Sequence, residues 1–279
     1  IPSIIKIKFS NNVGFVTSIY TSGMCIFAEV GAGVSVPLAK GLNLGWKHSL
    51  ASWFILTVIT IFIWSPQFKE KVQEKVKNDT ALNNDNPTQP VWKSPIAWWV
   101  TFFMGTQSLL FYTLVAWLPT IIMSKGMTDS FAGTMALTFQ LTAIPATLGI
   151  PMLCDKFKKQ RGLAIFTCFL YISGMLLFLF AHTPIVTLIS VALMALGMGG
   201  SISLAIAFIS FRSPNPVRAS ELSGMSQTAG YLLAAIGPIL MGTIYDISKS
   251  WSLPIIILGG LIVFLAFCGW FAGNDVLIQ

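Results

Sequence analysis

Two long apolar runs joined by a short basic loop constrain this chain most strongly, and they lie within residues 129–181. Each run has about 20 residues, the length that a helix needs to cross the ~30 Å hydrocarbon core of a bilayer. Because lipid offers the backbone no hydrogen-bonding partners, each run is expected to be a helix. The loop at 155–162 reads DKFKKQRG, and such basic loops lie on the cytoplasmic side of a membrane. The hairpin therefore predicts both the class of the protein and its orientation.

Composition agrees with a chain that lies mostly in lipid. Charged residues make up 10% of the 279 residues and hydrophobic residues 54%, whereas about 25% of a soluble domain is charged. The net charge of +7 does not predict nucleic-acid binding, because the basic residues lie in loops and form no continuous surface. The four cysteines have neither paired nor metal-binding spacing, so we expect reduced thiols, no metal and no cofactor.

The pattern of apolar runs predicts an all-α membrane protein with eight complete spans and the tail of a further helix. The tail lies at 1–9, and polar residues at 10–12 are expected to cap the next helix. Residues 67–95 are too polar to cross lipid and are predicted to be a linker. The predicted spans cover 13–37, 45–64, 96–122, 129–153, 162–181, 184–211, 219–247 and 251–272.

Lys and Arg residues are distributed unequally between alternate loops. Four lie in one set of loops, and the other thirteen of the 17 lie at 6–8, 69–93, 156–161 and 212–218. Since basic loops stay in the cytoplasm, we place the linker and the C-terminus there. The protein is expected to be a multi-pass protein of the plasma membrane.

A weak internal repeat relates two helices about 207 residues apart. IYTSGMCIFAEVGAGVSVPLA begins at Ile19 and SQTAGYLLAAIGPILMGTIYD at Ser226, and each is the penultimate span before the linker or the C-terminus. Transporters built from two parallel halves have this arrangement. We therefore interpret 1–66 as the end of an N-terminal six-helix half, 67–95 as a central linker and 96–279 as a complete C-terminal half. On this interpretation the chain is an N-terminally truncated fragment of a twelve-helix protein.

The basic loop resembles the loop signature of the major facilitator superfamily (MFS), which is a Gly, a few residues, and then D-R/K-x-G-R/K-x-R/K. Pro151 replaces the usual Gly, and Phe157 precedes a lysine without the intervening Gly. The residues that match the signature in order are Asp155, Lys156, Lys158 and Arg161.

Three further strings resemble the cyanate and nitroimidazole permease branch (CynX/NimT-like) of this superfamily. They are GTQSLLFYTLVAWLPTIIMSKGM at 105–127, FQLTAIPATLGIP at 139–151 and the helix IYTSG…GAGVSVPLA. The resemblance implies the MFS fold and secondary active transport by alternating access. It also implies a small polar or anionic organic solute, proton coupling, and a monomer when the protein has its full length.

Glu29 is the only acid well inside a predicted span. On helix 13–37 it lies within about 40° of Ser18, Ser22 and other small residues, a stripe typical of a packing or cavity-lining face. A carboxylate there is either protonated or hydrated. Its role is either that of a proton-coupling acid or that of an idle, hydrated acid near the outer mouth.

Six residues are candidates for the substrate path. The first helix of each MFS half lines the central cavity, which implicates Gln107, Phe111 and Tyr112. Gln140 and Gln227 lie on stripes of small residues, and an amide in hydrocarbon needs a partner. Each is therefore either a solute contact or an interhelical hydrogen bond. The sixth, Ser201, follows glycines at 197–200 that either bend the helix or permit close packing.

The resemblance also implies a gating role for Asp155. In the inward-closed arrangement of MFS proteins this loop docks on helix starts of the other half, so we expect Asp155 near the N-terminus of helix 13–37, around Asn11–Gly14. Unbonded N–H groups and the helix dipole favour a carboxylate there. Arg161 is expected to hold Asp155, with the lysines facing phosphates. The alternative is that Asp155 caps its own loop while the basic residues only set topology.

An intramembrane enzyme and a channel are the competing functions. An enzyme would need convergent catalytic groups, but His48 and His182 fall at outer loops and no G-x-S-x-G motif or paired intramembrane acids occur. A channel would need a filter or a ring of charges, which Glu29 alone does not supply. We therefore expect a transporter rather than an enzyme, with a non-transporting fragment as the remaining alternative.

Overall fold

The computed structural model describes residues 4–5, 12–36, 38, 45–65 and 90–278, and in these ranges the secondary structure is helical, without strands. A short 3₁₀ helix at Val91–Lys93 precedes the longest run of helices. The α-helices are α1 (Val13–Val36), α2 (Gly45–Ser52), α3 (Phe54–Trp64), α4 (Pro95–Ser124), α5 (Asp129–Cys154), α6 (Arg161–Leu179), α7 (Pro184–Arg212), α8 (Pro216–Ser248) and α9 (Ser252–Ala272).

Each predicted span coincides with helical segments in the described residues, and the ends agree to within three residues. The span predicted at 45–64 is divided at Trp53 into α2 and α3. α8 begins three residues before the predicted start, because Pro216 suits the first helical position and the Asn215 side chain accepts from the Arg218 N–H at 2.9 Å. Most of the predicted linker, and residues 1–3 and 6–11, lie outside the described residues.

Seven helical segments in the described ranges have the length and hydropathy of membrane spans, with α2 and α3 contributing one segment, Lys47–Trp64. The others are α4 to α9. The start of α1, Val13–Phe27, adds a shorter apolar helix. Large apolar side chains such as Phe62, Ile239 and Val263 are exposed on these helices, as expected for surfaces that face lipid rather than water.

The chain divides into two units. The larger consists of Ile1–Ser22 and Thr88–Gln279 and contains the first turns of α1 together with α4 to α9. The smaller, Gly23–Pro87, contains the rest of α1 with α2 and α3. The contacts described below belong to the larger unit.

In the larger unit, α7 packs between α5 and α6, while α4 packs on α8 and α9. Small residues allow this close approach. A Cβ added at Gly197 would lie 2.5 Å from the Cβ of Tyr171, and one at Gly199 would lie 2.4 Å from the Ala143 oxygen. α7 continues without interruption through these glycines. Of the two roles considered for 197–200, close packing is therefore the one that the structure supports.

Lys125 joins the C-terminal ends of α4 and α6. Its Nζ donates to the carbonyl oxygens of Phe178, Leu179 and Ala181 at 2.9, 3.2 and 3.3 Å. The last carbonyl groups of a helix lack intrahelical donors and attract a cation. Burial lowers the pKa of this lysine from its ordinary value. Lys125, which directly follows α4, therefore caps the C-terminal end of α6.

Candidate functional site

Asp155, directly after α5, lies at the N-terminus of α1. Its Oδ1 accepts from the Gly14 N–H at 2.9 Å and its Oδ2 from the Phe15 N–H at 3.0 Å. These N–H groups belong to the first turn of α1, where a helix has donors without acceptors and a partial positive charge. The predicted contact between Asp155 and the start of α1 is therefore present. The carboxylate caps α1 rather than its own loop.

Arg161 does not hold Asp155, so this part of the prediction is wrong. The Arg161 Nε donates to the Trp270 carbonyl oxygen at 3.0 Å, and its guanidinium lies 4.7 Å from the centre of the Trp270 ring. Arg161 is the first residue of α6, and its side chain contacts the last turn of α9. The helix dipole favours a cation at that end of a helix. Lys156 and Lys158 are exposed.

One turn before Asp155, a proline leaves a carbonyl of α5 available to α1. Pro151 has no N–H, so the Thr147 carbonyl loses its usual helical donor. The Thr21 hydroxyl donates to the Thr17 oxygen of α1 at 2.9 Å and lies 3.5 Å from the Thr147 carbonyl oxygen. The Ser22 hydroxyl lies 3.0 Å from the Thr147 hydroxyl. All three side chains are buried. Polar contacts therefore join α1 and α5 in the buried interior as well as at Asp155, where α1 begins.

Gly14 permits this close contact. A Cβ built there would lie 2.0 Å from the Pro151 oxygen and 2.8 Å from the Asp155 carboxylate. Any side chain at this position would push α1 away from α5. We call this contact the α1–α5 seam; its members are Gly14, Phe15, Thr21 and Ser22 of α1, with Thr147, Pro151 and Asp155 of the α5 side.

Three of the substrate-path candidates lie on α4. Gln107 is buried, its Nε2 donates to the Ser108 hydroxyl at 2.8 Å, and its Oε1 has no partner among the described residues. Phe111 is half-buried and Tyr112 is exposed, with ring centres 5.1 Å apart. Tyr231 of α8 lies 6.4 Å from Tyr112. The structure thus forms an aromatic group across α4 and α8, which sequence periodicity alone did not indicate.

The other candidates are not part of that group. The Ser201 hydroxyl is fully buried and donates to the Gly197 oxygen at 2.8 Å, so it is satisfied within α7. The Gln227 amide donates to the Ser223 hydroxyl at 2.6 Å within α8, and Gln140 is half-buried. The structure therefore places Ser201 in the buried interior with its hydroxyl bonded within its own helix, while the two glutamines keep their open alternatives.

The Glu29 side chain lies outside the described part of the structure, although its backbone belongs to α1. Its role remains a prediction. No cluster of three or more His, Cys, Asp or Glu residues suited to a metal occurs among the described residues. Sequence reasoning placed Asp155 near residues 11–14, as the structure does, but it did not indicate that close packing requires a glycine at Gly14. It also missed the Thr147 carbonyl, for which the available signal was a proline four residues after Thr147 in an otherwise continuous helix.

Comparison with known proteins identifies the fold family. A sequence profile of the Major Facilitator Superfamily matches residues 8–234 and 124–276. The chain belongs to the major facilitator superfamily. It is accordingly a multi-pass membrane protein of a transporter family, not an enzyme, and the expected MFS fold is confirmed.

Three curated relatives support the branch resemblance. The uncharacterized transporter YycB of Bacillus subtilis (strain 168) is 39% identical over 276 residues, covering 99% of this chain and 67% of that protein. The 2-nitroimidazole transporter of Escherichia coli (strain K12) is 35% identical over 277 residues, covering 99% and 68%. The cyanate transport protein CynX of Escherichia coli (strain K12) is 23% identical over 250 residues, covering 90% and 63%.

A solved structure supports the same fold. The proton:xylose symporter XylE, an MFS protein bound to 6-bromo-6-deoxy-D-glucose, superposes with a TM-score of 0.75 at 15% sequence identity. The match covers 96% of this chain and 66% of that chain. At this identity the likeness concerns the fold alone. The resemblance to the MFS that the basic loop indicated is therefore confirmed at the level of family and fold.

Proposed function

We propose that this MFS protein is a secondary active transporter that moves a small polar or anionic organic solute across the plasma membrane by alternating access. The observation that carries the proposal is the capping of α1 by Asp155. In the proposed domain arrangement, 1–66 ends the N-terminal half, 67–95 is the linker and 96–279 is the C-terminal half. The α1–α5 seam then joins the two halves on the cytoplasmic side, and it must open and close during each cycle.

The strength of the α1–α5 seam suits a reversible gate. Hydrogen bonds to a charged group contribute about 1.5–3 kcal/mol each, and water replaces part of that value when the helix end becomes exposed. The net cost of opening is therefore a few kcal/mol. Conformational states of proteins that interconvert differ by free energies of this size. If only apolar side chains formed the seam, water could not replace the lost contacts with hydrogen bonds when the seam opens.

The aromatic group on α4 and α8 supports a small planar solute. Phe111, Tyr112 and Tyr231 present ring faces and edges, which favour stacking against planar molecules. The Gln107 Oε1, buried and unpaired among the described residues, supplies an acceptor for a solute N–H or O–H. Nitroimidazole-like compounds and cyanate, named for two relatives, are the first solutes to test.

Proton coupling is proposed for Glu29, because a carboxylate within a span is costly unless it is protonated or hydrated. We expect Glu29→Gln to abolish or flatten the dependence of uptake on a pH gradient. Solute exchange without a gradient should persist, since it needs no net proton movement. An unchanged pH dependence would assign Glu29 to the hydrated, idle role.

The test of the function uses the protein expressed from its complete reading frame and reconstituted in liposomes. Uptake of radiolabelled 2-nitroimidazole and of radiolabelled cyanate, the solutes named for two relatives, is measured with and without an inward proton gradient. We expect saturable uptake that the gradient accelerates. In parallel, a single cysteine at Ser18, whose side chain is fully buried, reports opening of the α1–α5 seam by its labelling rate. The absence of flux for both compounds would contradict the substrate class. A Ser18→Cys reporter that never becomes accessible would contradict alternating access.

A further inference from the structure

Arg212, at the end of α7, is a buried cation rather than the exposed loop residue that its sequence position indicates. Its side chain is only 1% exposed. The guanidinium donates to the Gln160 Oε1 and lies 3.9 Å from the exposed Asp275 carboxylate. A buried charge is costly unless it is paired and hydrogen-bonded. The position of Arg212 therefore depends on partners from two other segments.

Gln160, the first of these partners, organises the loop that carries Asp155. Its side chain is 2% exposed. The Nε2 donates to the Phe157 carbonyl oxygen at 2.6 Å and approaches the Cys154 oxygen at 3.5 Å. These two carbonyl groups stand on either side of Asp155 in the chain. Gln160 thus holds the turn whose geometry directs the Asp155 carboxylate towards α1.

The second partner is the segment that follows α9. We call residues 273–278 the C-terminal strap. The Gly273 carbonyl accepts from the Gln160 N–H at 3.0 Å, and the Ile278 N–H donates to the Arg212 carbonyl at 2.9 Å. The Ile278 side chain is 2% exposed. The C-terminal strap therefore crosses the end of α7 and contacts both residues that hold the Asp155 loop.

We propose that the C-terminal strap, acting through Arg212 and Gln160, positions Asp155 in the α1–α5 seam. This inference rests on the proposed gating function of that seam. Arg212 and Gln160 are positioning residues, since no hydrogen bond or ion pair joins either of them to α1 among the described residues. Loss of the link frees the turn at 155–160, lowers the occupancy of the capping geometry and favours the open seam. The C-terminal strap thereby sets the balance between the two states without contacting solute.

The experiment measures the labelling rate of the Ser18→Cys reporter in the reconstituted protein, with the four native cysteines replaced by alanine. The test variants are Gln160→Ala and Asp275→Asn, compared with Asp155→Ala. Asp275 is 55% exposed, so Asp275→Asn is expected to fold even if Gln160→Ala, at a buried position, does not. Lys159→Gln is the control, because it changes the charge of the same loop at an exposed position. Thermal unfolding of each variant is recorded alongside.

We expect Gln160→Ala and Asp275→Asn to accelerate labelling by about threefold or more, and Asp155→Ala by about tenfold. Lys159→Gln should label at the parent rate. Adding Gln160→Ala to Asp155→Ala should produce no further acceleration, because the strap acts only through Asp155. Asp275→Asn should leave the unfolding temperature unchanged while labelling accelerates. If Asp275 had a merely structural role, faster labelling would come with a lower unfolding temperature.

Two results would overturn the proposal in different ways. If Asp155→Ala accelerates labelling but Gln160→Ala and Asp275→Asn do not, the C-terminal strap has no role and the gate stands. The same conclusion follows if the effects of Gln160→Ala and Asp155→Ala are additive. If Asp155→Ala itself leaves the rate unchanged, the seam is not a gate, and both the proposed mechanism and the role of the strap are refuted.

Discussion

The Asp155 carboxylate lies 2.9 Å from the backbone nitrogen of Gly14, which precedes it by 141 residues in the sequence. A helix is usually capped by the side chain of the residue that comes directly before it. Here the cap of α1 comes from the end of α5, so the first turn of α1 has its carboxylate partner only while the two helices are together. The stability of a helix end is thereby coupled to the contact between two parts of the protein.

Substitution of Asp155 by Asn or Ala removes the cap in part or in full. Asn retains one acceptor oxygen and can still cap a helix, but its NH2 group cannot accept from the second N–H. Asp155→Asn therefore removes the negative charge and one of the two hydrogen bonds. We expect a few-fold faster labelling of Ser18→Cys for Asp155→Asn and a larger effect for Asp155→Ala. The equilibrium should shift towards the inward-open state while the ranking of competing solutes stays the same. A changed solute ranking would show that Asp155 contributes to binding.

Gly14→Ala should open the α1–α5 seam by steric exclusion. The added Cβ would lie 2.0 Å from the Pro151 oxygen, and overpacking of this kind costs about 1–3 kcal/mol. Labelling of the Ser18→Cys reporter measures the opening. Gly23→Ala is the matched control on the same helix, because a Cβ there meets nothing within 4 Å among the described atoms. Equal labelling rates in both variants would contradict the close approach of α1 and α5.

A double-mutant cycle tests the carbonyl that Pro151 leaves free. Thr21→Val removes a hydroxyl that lies 2.9 Å from the Thr17 oxygen of its own helix and 3.5 Å from the Thr147 oxygen. Its contribution between the helices is therefore at most the roughly 0.6 kcal/mol that interhelical hydrogen bonds in membranes average. Pro151→Ala restores an N–H donor to that carbonyl within α5. We therefore expect Thr21→Val to cost less in the Pro151→Ala background than in the parent, measured by reversible unfolding in detergent. Thr134→Val, whose hydroxyl donates to the Ser130 oxygen within α5, serves as the control. Strict additivity of the two substitutions would refute the contact.

Gln107→Leu should weaken solute binding without opening the α1–α5 seam. The substitution removes the buried Oε1 that has no partner among the described residues, and leaves the surrounding apolar volume nearly filled. If this oxygen accepts from the solute, the KM for uptake should rise about tenfold, as expected for loss of a buried hydrogen bond. Labelling at Ser18→Cys should be unchanged. A stable variant with an unchanged KM would exclude Gln107 from the substrate path.

The positions of the helices were predictable from the sequence because span length and loop charge are properties of contiguous residues. The start and end of α5, for example, are indicated by apolar residues that stop at Asp155 and its basic neighbours. The contact between Asp155 and α1 followed from the family resemblance together with the general preference of helix N-termini for anions. Both kinds of inference need no knowledge of how helices are arranged around one another.

Tertiary structure alone decided which partner each loop residue has. Arg161 was expected to hold Asp155, but the direction of α6 takes its side chain to Trp270 of α9. Arg212 was counted among the loop cations, yet it is buried, paired with Gln160 and crossed by residues 273–278. The physical reason is that these contacts join segments distant in sequence, and their energies depend on helix packing that no local pattern records. The sequence by itself thus determined the spans and their family, whereas packing determined the residues that position Asp155.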